Sequence, residues 1–177
     1  MSFKAFSAAP HERELVAVDL GYSAQRRSCG LHWTGVQEPV EVSFDEAIAR
    51  TGKRVLQLTD PVLVLEAVLS TYHAPSGNPD IRGDFERGRG WYYDAGVLSF
   101  AAALRFLQEL KQHVQGRDLD VAEAFLSNKD TPTGHGEDAR LIHDRFWTAR
   151  PETLRGGVEP ASPLVRDVPS VRVFTPA

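Results

Sequence analysis

Leu15-Val16-Ala17-Val18-Asp19-Leu20-Gly21 is the stretch on which the reading of the whole chain turns. It is apolar without alternation and ends on an acid and a glycine, the profile of a strand covered on both faces and central in a sheet. Val62-Leu63-Val64-Leu65-Glu66-Ala67 repeats the design, a second unbroken apolar run closing on a carboxylate. A third run, Leu119 to Leu126, holds an acid inside it, Glu123. Charge within a buried strand is expensive unless it is paired, neutralised or bound to a cation, so Asp19, Glu66 and Glu123 each need a partner. With the first two strands adjacent and parallel, Asp19 and Glu66 meet at the carboxyl ends, where open α/β sheets build their sites.

Working outward, Ser28 to Thr34 alternates Cys29, Leu31 and Trp33 against Gly30 and His32, and Val40 to Ser43 follows a turn holding Gly35, Gln37, Glu38 and Pro39. Joined to the first strand by short loops, these two make an antiparallel meander. Ser43-Phe44-Asp45-Glu46 reads as a capping box opening a helix, with Ala47, Ile48, Val55 and Leu58 as its apolar stripe and Gly52 as an interruption. Ser70 to Tyr93 contains four glycines and two prolines and is expected to be a long loop. Asp94 to Gln115 is a helix with Phe100, Ala103, Leu104, Leu107, Leu110 and Val114 along one face and Gly116 as its stop. Glu137 to Ala149 is the last helix, with Ala139, Ile142 and Phe146 on one side. In the tail, Val171-Arg172-Val173-Phe174 reads as an edge strand or docking segment. The expectation is one α/β domain over residues 1–177, with a core at about 13–149 and an extension, 150–177, packed on it.

Composition narrows the function classes. With 42% hydrophobic and 25% charged residues the chain supports a packed core, and a net charge of −4 supplies no global positive field for nucleic acid or anionic lipid. Any polyanion site must be local. The single cysteine, Cys29, excludes an intramolecular disulfide and a zinc ribbon, so a metal would be held by oxygen or histidine. Met1 to Glu14 lacks the apolar run of a signal peptide, and no stretch reaches the roughly 20 apolar residues that span a bilayer. A cytoplasmic protein with no membrane partner is expected.

Asp138, opening a helix after the third acid-bearing strand, is placed to join Asp19 and Glu66. Such a cluster suits Mg²⁺ or Mn²⁺, hard cations that prefer oxygen ligands. Asp138 alone would serve the helix dipole, and Glu123 alone would more often be paired with an arginine. In the long loop, Arg82, Arg87 and Arg89 are candidates for phosphate contacts, and Trp91, Tyr92 and Tyr93 for stacking on unpaired bases. Asp80, Asp84 and Glu86 offset those arginines, and aromatics at such a junction commonly anchor a loop. Arg26 and Arg27, after the first strand, read as a solvated turn. No phosphate loop of the Gly-x-x-x-x-Gly-Lys type occurs.

The order of elements, with Asp19 in Val-Ala-Val-Asp-Leu-Gly-Tyr-Ser, Glu66 in Val-Leu-Val-Leu-Glu-Ala and Asp138 in His-Gly-Glu-Asp-Ala, resembles the ribonuclease H-like superfamily, which includes Holliday junction resolvases. Glu66-Ala-Val-Leu-Ser70, followed by Gly77-Asn78-Pro79 and Arg82, is similar to predicted nuclease domains of that fold. The resemblance implies a mixed five-stranded sheet with three antiparallel leading strands and flanking helices. It implies divalent-metal-dependent hydrolysis of phosphodiester bonds in nucleic acid, with Asp19 bridging two ions and Glu66 and Asp138 each holding one. Glu123 would be a fourth ligand or a plain strand residue, and His135 would assist proton transfer or product release. A homodimer, as in many resolvases, is compatible with it. Val18-Asp19-Leu20-Gly21-Tyr22-Ser23 also resembles the first phosphate segment of the actin, heat-shock ATPase and sugar kinase superfamily, so a nucleotide-binding protein and a non-catalytic scaffold stand as alternatives.

Overall fold

The acid-bearing runs fold side by side. The computed structural model describes residues 13–23, 26–126, 132–149, 151–161, 164–165 and 171–174, so most of the segment read for a signal peptide lies outside the described residues. In chain order the elements are β1 (Glu14–Asp19), β2 (Cys29–Trp33), β3 (Val40–Val42), α1 (Phe44–Gln57), β4 (Pro61–Glu66), β5 (Ser70–Thr71), α2 (Ala95–His113), β6 (Asp120–Leu126), α3 (His135–Arg145), β7 (Pro151–Glu152), β8 (Glu159–Pro160) and β9 (Val171–Phe174).

The five expected strands form a mixed sheet in the order β3-β2-β1-β4-β6, which the tail widens through β9 and then β7. β1 runs antiparallel to β2 and parallel to β4, which is in turn parallel to β6. Val171–Phe174, read as an edge strand or docking segment, is a strand but not at the edge: it pairs parallel with β6 and antiparallel with β7, and so lies inside the sheet. β7 and β8 are two residues each, too short to register as an apolar pattern.

Two apolar layers cover the sheet. Val16, Val18, Leu63, Leu65 and Val121 face α1 and α2, meeting Ile48, Val55, Phe106, Leu107 and Leu110. Leu15, Ala17, Val62, Val64, Ala122 and Ala124 face the other way, onto Ile142 and Phe146 at α3. Strands covered on both sides cannot alternate, which is why β1 and β4 read as continuous apolar runs.

Helix α1 starts where its capping box predicts. The Ser43 backbone N–H donates to Glu46 Oε2 at 3.1 Å, and the Glu46 N–H donates to Ser43 Oγ at 3.4 Å. Gly52 does not break the helix because α2 presses against it: a Cβ there would lie 2.6 Å from the Cβ of His113. Helix α3 begins two residues before its expected start, with Gly134 as its N-cap. Glycines at 134 and 136 mask that first turn in the sequence, because glycine is a poor helix former.

The long loop carries β5, an isolated bridge between His73 and Pro79, and a single 3-10 turn, Asp84–Glu86. The tail clamps it. β8 pairs antiparallel with β5, the Arg155 N–H donates to the Arg82 carbonyl at 2.8 Å, and Arg155 pairs with Asp80 at 2.9 Å. No helix among the described residues is long and apolar enough to cross a membrane.

Candidate functional site

Strand parity sets the site. Along β1 the residues facing α3 are Leu15 and Ala17, and along β4 they are Val62 and Val64; two residues further on, the same face carries Asp19 and Glu66. The two acids are direct partners in the parallel register. Asp138, one turn into α3, comes down on them from above. One carboxylate oxygen from each of Asp19, Glu66 and Asp138 lies within 4.8 Å of the others, with Asp19 and Asp138 buried and Glu66 half-buried.

Gly30 makes that approach of α3 possible. It sits opposite Asp19 in the β1–β2 pairing, and a Cβ on it would collide with the His135 carbonyl. With no side chain there, the first turn of α3 rests on the sheet backbone. Glu41, on β3, completes the seating by accepting the Gly136 N–H at 3.2 Å.

Each acid has polar company. His135 Nδ1 lies 2.7 Å from Asp19 Oδ2. That hydrogen bond to Asp19 raises the His135 pKa above its ordinary value against the opposing effect of burial, and the negative charges of Asp19, Glu41 and Asp138 add to it. Glu66 Oε1 accepts the Leu126 N–H at 3.3 Å, and Asp138 Oδ1 accepts from the Thr133 hydroxyl. An all-oxygen set of this kind could hold a hard divalent cation such as Mg²⁺ or Mn²⁺, with room for water in the remaining positions.

Glu123 does not join. It pairs in register with Leu65 while Glu66 pairs with Ala124, so it points to the opposite face of the sheet. There it is fully buried beneath the long loop, where Arg82 Nη1 donates to its Oε2 at 2.8 Å and the Leu69 N–H donates to the same oxygen at 2.6 Å. The fourth-ligand reading of Glu123 is therefore corrected: its charge is already matched by a guanidinium.

Arg82 is corrected with it. Expected at phosphate, it is wholly buried, held by Glu123 and Glu86, with its guanidinium carbon 4.9 Å from the Phe125 ring centroid. It fastens the loop to the sheet, and although it belongs to the wall of the cleft beside the acids, its guanidinium is already engaged by carboxylates. Arg87 is exposed and paired with Asp84 at 3.1 Å, and Tyr92 stacks edge-on against Trp91 and Tyr93. Neither lines the cleft that opens beside the acids.

That cleft has a volume of about 960 Å³, and Asp19, Glu66 and His135 are in its wall. Arg89 and Trp91 also line it, as do Tyr93 and Tyr22. Trp91 is mostly buried, and its Nε1–H donates to the Asp80 carbonyl at 2.9 Å, so it anchors the loop as well as lining the cleft. Arg26 and Arg27, read from the sequence as a solvated turn, line the same space. Their signal, two adjacent arginines directly after an acid-tipped strand, was present in the sequence. Burial, then the charges of Asp19 and Glu66, push the Tyr22 phenol up against a lowering hydrogen bond from Ser99. Cys29 is buried, and desolvation pushes its thiol up to about 11.

No family model, no curated protein and no solved structure matches this chain. The reading of the site rests on its own geometry.

Proposed function

We propose that the sheet is of the ribonuclease H-like kind and that the chain is a divalent-metal-dependent nuclease. The observation that carries the reading is the meeting of Asp19, Glu66 and Asp138, from three elements far apart in sequence, within 4.8 Å at the carboxyl ends of parallel strands. The strand order β3-β2-β1-β4-β6, antiparallel then parallel, supports it. So does the cleft, which sets arginines and aromatic rings beside the acids.

In this reading Asp19, Glu66 and Asp138 hold Mg²⁺ or Mn²⁺. Ions bound there would supply Lewis-acid activation of a water and charge stabilisation at the phosphodiester. The chain's own residues do the rest. His135, hydrogen-bonded to Asp19 and partly open to solvent, orients that carboxylate and can carry a proton between site and solvent. Arg26, Arg27 and Arg89 provide positive charge for the phosphates, and Tyr22, Trp91 and Tyr93 provide rings for bases. With a net charge of −4, binding of the nucleic acid depends on this local set rather than on the overall field.

The test is cleavage of end-labelled single-stranded DNA, RNA, duplex and branched junction, each with Mg²⁺ or Mn²⁺, by the wild-type chain and by Asp19→Asn. Metal-dependent cleavage of at least one substrate, reduced by a factor on the order of 10³ in the variant, is expected. Cleavage of none, or equal cleavage by the variant, overturns the proposal. Tight ATP binding without cleavage would favour the nucleotide-binding alternative.

A further inference from the structure

Helix α3 carries a second cluster toward its other end, on the face that packs against β2. His143 meets His32 of β2 edge to face, with ring centroids 4.6 Å apart and an interplanar angle of 84°. Asp144 Oδ1 lies 3.0 Å from His143 Nδ1. One ligand atom from each of His32, His143 and Asp144 lies within 4.8 Å of the others. His32 is 3% exposed, and its Nδ1 has no hydrogen-bond partner among the described residues. A buried ring nitrogen left in that condition calls for a physical reason, and a cation is one that uses its lone pair.

We propose that His32, His143 and Asp144 form a binding site for a transition-metal ion of the zinc class, distinct from the acidic cluster, with water as the fourth ligand.

The donor chemistry separates the two sites. Asp19, Glu66 and Asp138 offer oxygen alone, which suits Mg²⁺ and Mn²⁺; two imidazoles and one carboxylate suit Zn²⁺, Ni²⁺ or Cu²⁺. Thr34 Oγ1, 3.2 Å from His143 Nε2, supplies the outer contact that orients a ligating imidazole. With a cation bound, the His143 proton would sit on Nε2, facing Thr34, and leave the Nδ1 lone pair for the metal beside Asp144 Oδ1. Burial and the neighbouring His143 keep the His32 imidazole below its usual pKa.

The charged groups that act on His32 include His143, Asp144, Arg140, Glu38 and Glu137. Arg140 is the one permanent cation among them, and it is engaged by Glu137 at 2.9 Å and by Asp144 Oδ2 at 3.4 Å. That leaves Asp144 Oδ1 for the metal. Donors about 2.0–2.1 Å from a tetrahedral ion lie roughly 3.3–3.4 Å apart; His143 Nδ1 and Asp144 Oδ1, now 3.0 Å apart, would open slightly as the cluster gathers round the ion, and the half-exposed Asp144 side chain can rotate to allow it. An ion here would pin α3 to β2. His143 lies five residues after Asp138, about 7.5 Å along the helix, so the same clamp would steady the acid over Asp19.

The experiment is Co²⁺ titration of the chelator-stripped full-length chain, followed by visible absorption and by Zn²⁺ competition. One equivalent of Co²⁺ with four-coordinate bands is expected, displaced by Zn²⁺ and not by excess Mg²⁺. The bands should persist in Asp19→Asn. Affinity should fall at least about tenfold in both Asp144→Asn and His143→Gln, with unchanged far-ultraviolet dichroism confirming the fold. Asp144 is 46% exposed, so its variant keeps the test open even where a histidine variant fails to fold. Absence of Co²⁺ bands at millimolar concentration, binding unchanged in a folded Asp144→Asn, or bands lost in Asp19→Asn would overturn the proposal. None of these results decides the nuclease reading, which is tested by cleavage.

Discussion

Glu66 and Glu123 sit near the carboxyl ends of adjacent parallel strands, and a single step of register separates their fates. Glu66 is level with Ala124 and faces α3, where it meets Asp19 and Asp138; Glu123 is level with Leu65 and faces the long loop, where it meets Arg82. One acid thus enters a group of like charges and the other enters an ion pair. The same local pattern, a carboxylate on an apolar strand, yields a candidate site on one face and a structural fastening on the other. Side-chain parity decides which, because shifting a strand by one residue sends each side chain to the opposite face.

The largest effect expected from breaking this comparison is at the fastening. Arg82→Met leaves Glu123 and Glu86 buried without their cation, and urea unfolding should show a loss of about 3–5 kcal/mol. Loss below 1 kcal/mol would mean the ion pair is not what holds the loop. Glu123→Gln keeps the shape but weakens the charge-assisted bonds from Arg82, Ser70 and Leu69. It should cost roughly 1–3 kcal/mol and leave Mn²⁺ affinity untouched in calorimetry. Asp19→Asn should behave in the opposite sense, abolishing Mn²⁺ binding while metal-free stability moves by only about 1 kcal/mol. If Asp19→Asn instead costs several times that stability while the folded protein still binds Mn²⁺, the two faces have been assigned the wrong way round.

A smaller effect concerns pH. His135 has its pKa raised in the folded state by the hydrogen bond to Asp19, so its contribution is fully present below its unfolded value, about 6.5. That contribution is lost as pH rises through the raised folded value. In metal-free protein, wild type should exceed His135→Ala in melting temperature at pH 6 by more than at pH 9. A gap that stays constant with pH would show that the protonated imidazole plays no part.

How much of this was legible follows from the same physics. β1 and β4 could be read because strands covered on both faces leave continuous apolar runs, and the acids at their tips stand out against them. The convergence of Asp138 could be anticipated from its place at a helix start. That Glu123 would pair with an arginine could be expected, but which one could not, since Arg82 is 41 residues away along the chain. A parity signal was nevertheless present: Ala122 and Ala124 are the small residues under α3, which leaves Glu123 with Val121 on the other face. The inner position of β9 was hidden because two-residue β7 and four-residue β9 are too short to carry a pattern. Charge next to a turn is ordinarily solvated, so only the fold shows Arg26 and Arg27 at the cleft.

The most direct trial of the two-faced sheet is anomalous diffraction from a crystal soaked in Mn²⁺. A manganese peak seated among the oxygens of Asp19, Glu66 and Asp138, with none beside Glu123, is the predicted result. Ordered carboxylates at those three positions with no manganese between them at millimolar concentration would contradict it.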